Sequence, residues 1–240
     1  MENTIPVEFR AAVREGVLAW NHAFEKIGFK NAIVAKQMPD DATWHPGDAR
    51  YNTIRWIVQP GAGYAVGPSR ANPYTGELYD ADIRVSNDYV RFYFDDFENF
   101  IDPILEKSVS EIWEDQMRPS DDLHVCNYGE HLKHKMSFTW NYLIMNNIIS
   151  GTEQDMIKFV EDGIIDLLLH EVGHTLGLRH NFKASSVFTY DELSNVEFTS
   201  EHGVTGSVMD YNATNLLDGG VNYFQTQPGP YDYWVIKYGY

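Results

Sequence analysis

Hydrophobic residues near the amino terminus recur at helical spacing. Successive apolar positions are separated by four, three, four and three residues, and they are Val13, Val17, Trp20, Phe24 and Ile27. This spacing places the five side chains on one face of a helix. The pattern therefore predicts an amphipathic helix that begins near Pro6, ends at Gly28 and packs its apolar face on a sheet.

Three short segments downstream have the composition of β-strands. They are residues 32–35, 53–58 and 78–85, and Gly, Pro, Asn and Asp fill the intervals between them. In the third segment Ile83 and Val85 alternate with Arg84. Alternation of this kind predicts a strand with one buried face.

The remaining pattern is mainly helical. Residues 88–118 carry many aromatic and acidic side chains without a clean period and favour helix, and residues 131–149 predict a second helix. A third helix is expected to follow Thr152, because Asp155 stands three residues later in an arrangement related to the capping box. Apolar residues surround most of this helix, which indicates burial on nearly all sides up to Gly177. Loops and a final helix at residues 231–238 complete the prediction.

Composition narrows the class of protein. The 240 residues are 43% hydrophobic and 14% aromatic, which is typical of a globular domain. A net charge of −17 without a Lys/Arg cluster argues against nucleic acid as a partner. The single cysteine, Cys126, cannot form an internal disulfide. No apolar run is long enough to insert into a membrane, and the first residues lack signal-peptide features, so we expect a cytosolic protein or a domain cut from a longer precursor.

Residues 170–180 read HEVGHTLGLRH and carry the strongest chemical signal. Histidines four residues apart on a helix lie on one face, so His170 and His174 can bind one metal ion. Glu171 lies about 100° around the helix and suits a general base. Gly177 allows a left-handed turn that returns His180 as a third ligand. A Zn²⁺ ion with three neutral nitrogen ligands keeps a fourth position for water, which predicts a hydrolase.

Two other interpretations of these residues are open. Three histidines can occur in a helix without function, although five fixed positions in this spacing rarely coincide by chance. The third ligand can also be an acid further along the chain, Glu192 or Glu197, as in thermolysin-like enzymes. In that case Gly177 and His180 would be coincidental.

The extended motif, together with Ser207-Val208-Met209-Asp210-Tyr211, resembles the metzincin metallopeptidases. Three further stretches resemble the catalytic domain of large bacterial zinc-dependent metalloproteases of poorly defined substrate. They read REGVLAWN at 14–21, ADIR at 81–84 and YDYWVI at 231–236. This resemblance extends over nearly the whole chain, although the motif and the methionine segment alone are specific enough to imply chemistry.

The resemblance implies an α+β (mixed α/β) fold in one catalytic domain, residues 1–240. A lobe of about 1–178 would hold a twisted, mostly parallel sheet backed by two long helices, and a small lobe of about 179–240 would follow. Residues 78–85 would be the antiparallel edge strand that captures an extended peptide by strand addition. Met209 would lie in a tight turn, the Met-turn, beneath the three histidines.

The resemblance also implies roles outside the zinc motif. Tyr211 matches a tyrosine that ligates zinc and then binds the oxyanion in the astacin and serralysin branches, with a core tyrosine as the alternative. Bacterial members of the family are exported, which implies a secreted or periplasmic location. Peptide or protein is the implied substrate. The chain gives no oligomeric state and no means of latency.

Weaker patterns indicate additional metal sites. His124, Cys126, His131 and His134 lie close in sequence and could hold a second metal, with packed or surface residues as the alternative. Acidic pairs could hold structural Ca²⁺, with solvated faces as the alternative; they are Asp80/Asp82, Asp95/Asp96 and Asp121/Asp122. The main hypothesis is a zinc-dependent endopeptidase. Its alternative is a catalytically silent zincin-fold module that grips peptides.

Overall fold

The computed structural model describes residues 1–58, 65–67, 69–87, 126–217 and 222–240, and these residues form both helices and strands. The helices are α1 (Arg10–Leu18), α2 (Asn21–Lys26), α3 (Tyr128–Met145), α4 (Glu153–Thr175), α5 (Tyr190–Leu193), α6 (Val196–His202) and α7 (Pro230–Gly239). The strands are β1 (Thr53–Ile57), β2 (Ala65–Val66), β3 (Ser69–Ala71) and β4 (Leu78–Ser86). The mixed α+β class agrees with the prediction. The helical prediction for 88–118 lies outside the described residues.

The amino-terminal apolar stripe forms two helices, α1 and α2, that meet at Ala19 and Trp20. Val13, Val17, Trp20 and Phe24 are buried, and Gly28 has a φ of 95° after the helical segment. Among the described elements the main partner of α1 is α4, and the packing of this helical segment on a sheet stays a prediction. A Cβ atom at Gly16 would lie 2.8 Å from the Cβ of Leu168, so the missing side chain lets the two helices approach closely.

Two of the three predicted strands form. Residues 53–58 and 78–85 correspond to β1 and β4, whereas residues 32–35 have no regular secondary structure. The side chain of Asn21 donates to the carbonyl of Ile33 and accepts from its amide, and Arg14 donates to the carbonyl of Ala35. These side chains form hydrogen bonds with backbone groups that would otherwise bond to a neighbouring strand. The strand prediction for 32–35 is therefore wrong.

Strand β4 lies inside the sheet. It pairs in parallel with β1 on one side and antiparallel with β2 and β3 on the other. The prediction that residues 78–85 form an edge strand is therefore wrong, because both sides of β4 carry partners. One of the three pairings among the described strands is parallel, so the mostly parallel sheet stays a prediction.

Helix α4 begins and ends where its sequence predicts. Thr152 Oγ1 accepts from the amide of Asp155, and the Asp155 carboxylate accepts from the amide of Thr152 in return. The helix ends at Thr175, and Gly177 follows with a φ of 90°, a conformation that glycine adopts without strain. Most of its side chains are buried. Helix α3 begins and ends a few residues earlier than the predicted 131–149.

The chain after Gly177 contains short helices that the sequence pattern did not indicate. Helices α5 and α6 lie in the segment expected to be loop, and each begins with a side-chain cap, from Thr189 and from Asn195. Helix α7 agrees with the predicted final helix and packs on α2. The division into lobes of about 1–178 and 179–240 stays a prediction.

Candidate metal centre

Three histidines converge at the carboxyl end of α4. His170 and His174 lie one helical turn apart with ring centroids separated by 4.8 Å, and His180 returns to lie 4.8 Å from His174 and 5.3 Å from His170. The Nε2 atoms of His174 and His180 are 3.1 Å apart. The positive φ of Gly177 makes this return possible. The structure therefore brings the three predicted ligand side chains together.

Backbone carbonyls orient two of the imidazoles. Nδ1 of His170 lies 2.7 Å from the carbonyl oxygen of Val208, and Nδ1 of His174 lies 3.0 Å from that of Leu178. A carbonyl only accepts, so each Nδ1 carries the proton and donates it. Each Nε2 then presents its lone pair to the centre of the cluster, which is the tautomer that a metal ion requires.

Cys126 is a fourth member of this cluster, which sequence spacing did not reveal. Its sulfur lies 3.4 Å from His170 Nε2 and 3.3 Å from the hydroxyl of Tyr211. One ligand atom from each of Cys126, His170, His174 and His180 lies within 4.8 Å of the others. Among the described residues this is the group of His, Cys, Asp and Glu side chains that could hold a metal ion.

Two of the separations between donor atoms agree with zinc binding. Tetrahedral zinc with bonds of about 2.0–2.1 Å to nitrogen and about 2.3 Å to sulfur places two nitrogens about 3.3 Å apart, and a nitrogen and a sulfur about 3.6 Å apart. The observed separations are 3.1 Å for His174 and His180 and 3.4 Å for His170 and Cys126. Imidazole and thiolate are also the donor types that zinc selects.

The charge states of the histidines suit metal binding. Burial lowers the pKa of His180 to about 4, and burial also lowers the pKa of His174. The pKa of His170 falls well below its ordinary value, mainly through burial and then through His174. All three rings are therefore neutral at pH 7, and neutral imidazole is the form that binds a metal.

Glu171 is fully buried beside the histidines. Burial raises its pKa to about 8, and the thiol of Cys126, which donates to Oε1 at 3.7 Å, opposes the rise. The backbone amide of Gly67 lies close enough to this carboxyl to lower its pKa as well, although Oε2 has no hydrogen-bond partner of full geometry among the described residues. Strand β2 ends directly above it, since a Cβ at Gly67 would lie 2.5 Å from the carbonyl oxygen of Glu171. A buried carboxyl with a raised pKa beside a possible metal site indicates a candidate functional group.

Two tyrosines complete the site. The hydroxyl of Tyr211 lies 3.2 Å from His180 Nε2, and burial raises the pKa of this phenol, so it stays protonated. The ring of Tyr128 stacks on His170 with centroids 4.0 Å apart and planes 15° apart. Tyr128 is buried at the start of α3, so this helix fixes the ring plane of His170.

Met209 lies beneath the motif in a turn at residues 208–209. Its side chain is fully buried, and a Cβ at Gly173 would lie 2.4 Å from its sulfur. The amide of Asn181 donates to the carbonyl of Met209, which ties the segment after His180 to this turn. The glycine within the motif therefore makes room for the methionine.

Gly173→Ala is expected to destabilise the fold by about 1–3 kcal/mol, because the added methyl group meets both Met209 and Trp20 in a packed core. Urea unfolding measures this loss. Gly239→Ala is the matched control, since a Cβ there meets nothing within 4 Å. Equal stability of the two variants would show that Gly173 and Met209 are not in close contact.

Asp232 holds the turn in place from α7. Its carboxylate accepts from the hydroxyl of Ser207 at 2.6 Å, the amide of Val208 at 2.8 Å and the amide of Gly229 at 2.7 Å. Val208 in turn accepts from His170. The orientation of His170 therefore depends on a buried carboxylate in the last helix.

Asp232→Ala is expected to cost about 3 kcal/mol of unfolding free energy, because three buried donors lose their acceptor. Burial raises the pKa of Asp232 from 3.8 to about 6. The raised pKa adds a separate, pH-dependent contribution, because the fold favours the protonated form: this contribution is complete below about pH 4 and is lost as the pH rises through 6. Unfolding at several pH values, with exposed Asp191→Ala as control, measures both effects. An unchanged pH dependence in Asp232→Ala would contradict this assignment.

The alternative third ligands are engaged elsewhere. Glu192 accepts from the amide and the hydroxyl of Thr189 in the cap of α5, and Glu197 is exposed at the start of α6. Neither belongs to the group of side chains that could hold a metal. The position of His180 beside His174 favours the three-histidine interpretation.

The additional metal sites do not assemble from the described residues. Cys126 joins the histidines of α4 instead of His131 and His134, and His124 lies outside the described residues. Asp82 accepts from Thr53, and Asp80 lies 4.0 Å from Arg70. The other two acidic pairs, Asp95/Asp96 and Asp121/Asp122, also lie outside the described residues. Calcium binding is therefore not supported.

Comparison with known proteins finds a family similarity for part of the chain. No curated protein and no solved structure matches it. Among the helices described here, none has the length and apolarity to cross a membrane. Residues 152–240 match the model of a family described as Met-zincin. This segment carries the three histidines, Glu171, Met209 and Tyr211. Over its length the chain is similar to the Met-zincin family, whose members are of the zinc metallopeptidase type.

Proposed function

We propose that this chain is a zinc-dependent metalloendopeptidase that hydrolyses peptide bonds in extended peptides or proteins. The observation that carries the proposal is the convergence of His170, His174 and His180 beside the buried carboxyl of Glu171. The turn at Met209 then corresponds to the Met-turn of metzincins. The match to the Met-zincin family supports this proposal.

The three histidines would hold the zinc ion, which when bound supplies Lewis acidity and lowers the pKa of water. Glu171 accepts a proton from the attacking water at its carboxylate and passes it to the nitrogen of the leaving amine. A cation nearby favours the carboxylate form of Glu171 for the first transfer. The buried surroundings, which raise its pKa, favour donation in the second.

Tyr211 lies where it can donate to the oxyanion that forms from the peptide carbonyl. Its hydroxyl is protonated and lies 3.2 Å from His180 Nε2, at the edge of the ligand cluster. A donor aimed at developing negative charge stabilises the transition state more than the bound substrate. Tyr211 is therefore proposed as a catalytic residue together with Glu171.

Tyr211→Phe is expected to lower kcat by about 10²–10³-fold with little change in KM, since the hydroxyl acts mainly in the transition state. Steady-state kinetics on a peptide substrate measures the two parameters. Exposed Tyr190→Phe serves as the control. An unchanged kcat in Tyr211→Phe would show that the side chain of Tyr211 contributes only to packing.

The outer edge formed by β2 and β3 is the proposed place for the peptide backbone. Within the described ranges these two strands pair with β4 on one side only, and Gly67 between them abuts Glu171. Addition of a strand there would bring a peptide across the metal centre. This edge replaces residues 78–85 in that role.

The test of the proposed function is cleavage of a quenched fluorescent peptide library by the zinc-loaded protein. We expect cleavage that a chelator abolishes and that added Zn²⁺ restores. Absence of cleavage by protein whose metal site is loaded and accessible would contradict the proposal. A secreted or periplasmic domain of a longer precursor is the location we propose, on the basis of the family resemblance alone.

One observation favours the second candidate, a silent peptide-binding module. With Cys126 included, the donor set has four side chains, and zinc sites closed by four protein ligands are typically structural. Such a module would bind extended peptides without cleaving them. The role of Cys126 therefore separates the two functions.

A further inference from the structure

We propose that Cys126 is a fourth zinc ligand within the domain itself and that its thiolate occupies the coordination position that the reaction needs, so that the enzyme is latent until the thiol is displaced. The latency depends on the proposed function, whereas ligation by Cys126 does not. The chemistry involved is exchange of a protein thiolate for water at a divalent cation.

The position of the sulfur supports ligation. Its distance of 3.4 Å to His170 Nε2 is close to the separation of about 3.6 Å between sulfur and nitrogen ligands of one tetrahedral zinc ion. All four donor atoms lie within 4.8 Å of one another. When the metal binds, the sulfur–zinc bond replaces the sulfur–hydrogen bond, and the proton passes to solvent.

The neighbours of the sulfur explain why the thiolate would block catalysis. Sγ contacts His170 Nε2, the hydroxyl of Tyr211 at 3.3 Å and Oε1 of Glu171 at 3.7 Å. These are a metal ligand, the proposed oxyanion donor and the proposed general base. The reacting carbonyl and water must touch the same groups, so substrate and thiol compete for one space.

The backbone of Cys126 belongs to the framework of the site. Cys126 is buried immediately before α3, and two residues later Tyr128 stacks on His170. The carboxyl of Glu171, which the thiol contacts through Oε1, is also buried. The segment that begins α3 therefore places both the thiol of Cys126 and the ring of Tyr128 against His170.

Cobalt substitution tests ligation without reference to activity. Wild-type protein loaded with Co²⁺ should show a thiolate-to-cobalt charge-transfer band in the near ultraviolet, and Cys126→Ala and Cys126→Ser should bind Co²⁺ and lose that band. The control is Cys126→Ala combined with Ser150→Cys. Its thiol is exposed before α4, about 25 Å along the helix axis from His170, and should not restore the band.

Peptide cleavage by the same proteins tests latency. Cleavage by zinc-loaded Cys126→Ala should exceed that by the wild type. Cys126→Ser should show the same increase, and it is the variant to use if alanine disturbs folding. Absence of the band in cobalt-loaded wild type would overturn the inference, and the proposed function would survive if that protein cleaved peptides. A band together with equal cleavage by wild type and variants would overturn latency. A band in the wild type with no cleavage by either metal-loaded Cys126 variant would overturn latency and the proposed function together, while ligation would stand.

Discussion

Glu171→Ala is expected to reduce peptide cleavage by about 10²–10⁴-fold while the folded chain keeps its zinc. In the proposed mechanism this carboxyl transfers the proton, and it does not belong to the group of side chains that could hold a metal. Cleavage rate and zinc content are measured on the same preparation. The comparison is made in the wild type and in the Cys126→Ala background, so that a closed site does not conceal the effect.

Glu153→Ala is the matched control, since this glutamate is exposed in the first turn of the same helix. It should leave both cleavage and zinc content unchanged. Normal turnover by Glu171→Ala would remove the general base from the proposed mechanism. Loss of zinc from Glu171→Ala would instead indicate that the carboxyl supports the metal site.

His180→Ala is expected to weaken zinc binding by more than about 100-fold. The proposed site would lose a ligand atom, which costs more affinity than the loss of a residue that only supports a ligand. Competition with a chromogenic chelator measures the affinity. Glu192→Ala and Glu197→Ala are matched controls, and both should retain zinc because neither side chain lies in the ligand group.

The opposite pattern would favour the alternative ligand set. Retention of zinc by His180→Ala together with its loss from one of the two glutamate variants would restore the interpretation in which His180 is coincidental. Circular dichroism of each variant distinguishes metal loss from unfolding. The expected result is a folded His180→Ala protein with little bound zinc.

The features predicted correctly from the sequence depend on local chemistry. The capping box of Thr152 and Asp155 and the positive φ of Gly177 involve residues within one or two helical turns. The spacing of His170 and His174 is likewise a property of a single helix. Because these features are local, much of the metal centre could be predicted from the sequence.

The features missed from the sequence depend on contacts between distant segments. Cys126 and Tyr128 reach His170 from more than forty residues away, and no spacing rule links them to the motif. The one available signal was that Cys126 is the single cysteine of the chain. The contact of Asp232 with the turn at Met209 is of the same kind.

The incorrect predictions have a related cause. Residues 32–35 have the apolar composition of a strand, but the side chain of Asn21 takes the backbone groups of Ile33. The edge-strand prediction for residues 78–85 comes from the family resemblance, and the alternation within β4 gives no information on how many strands pair with it. Periodicity describes one segment at a time, whereas strand pairing is decided by the whole sheet.

Anomalous diffraction at the zinc edge, from crystals grown with one equivalent of Zn²⁺, tests the central claim most directly. We expect a single strong peak within bonding distance of Nε2 of His170, His174 and His180. A peak elsewhere, or a His180 ring turned away from the other two, would contradict the account.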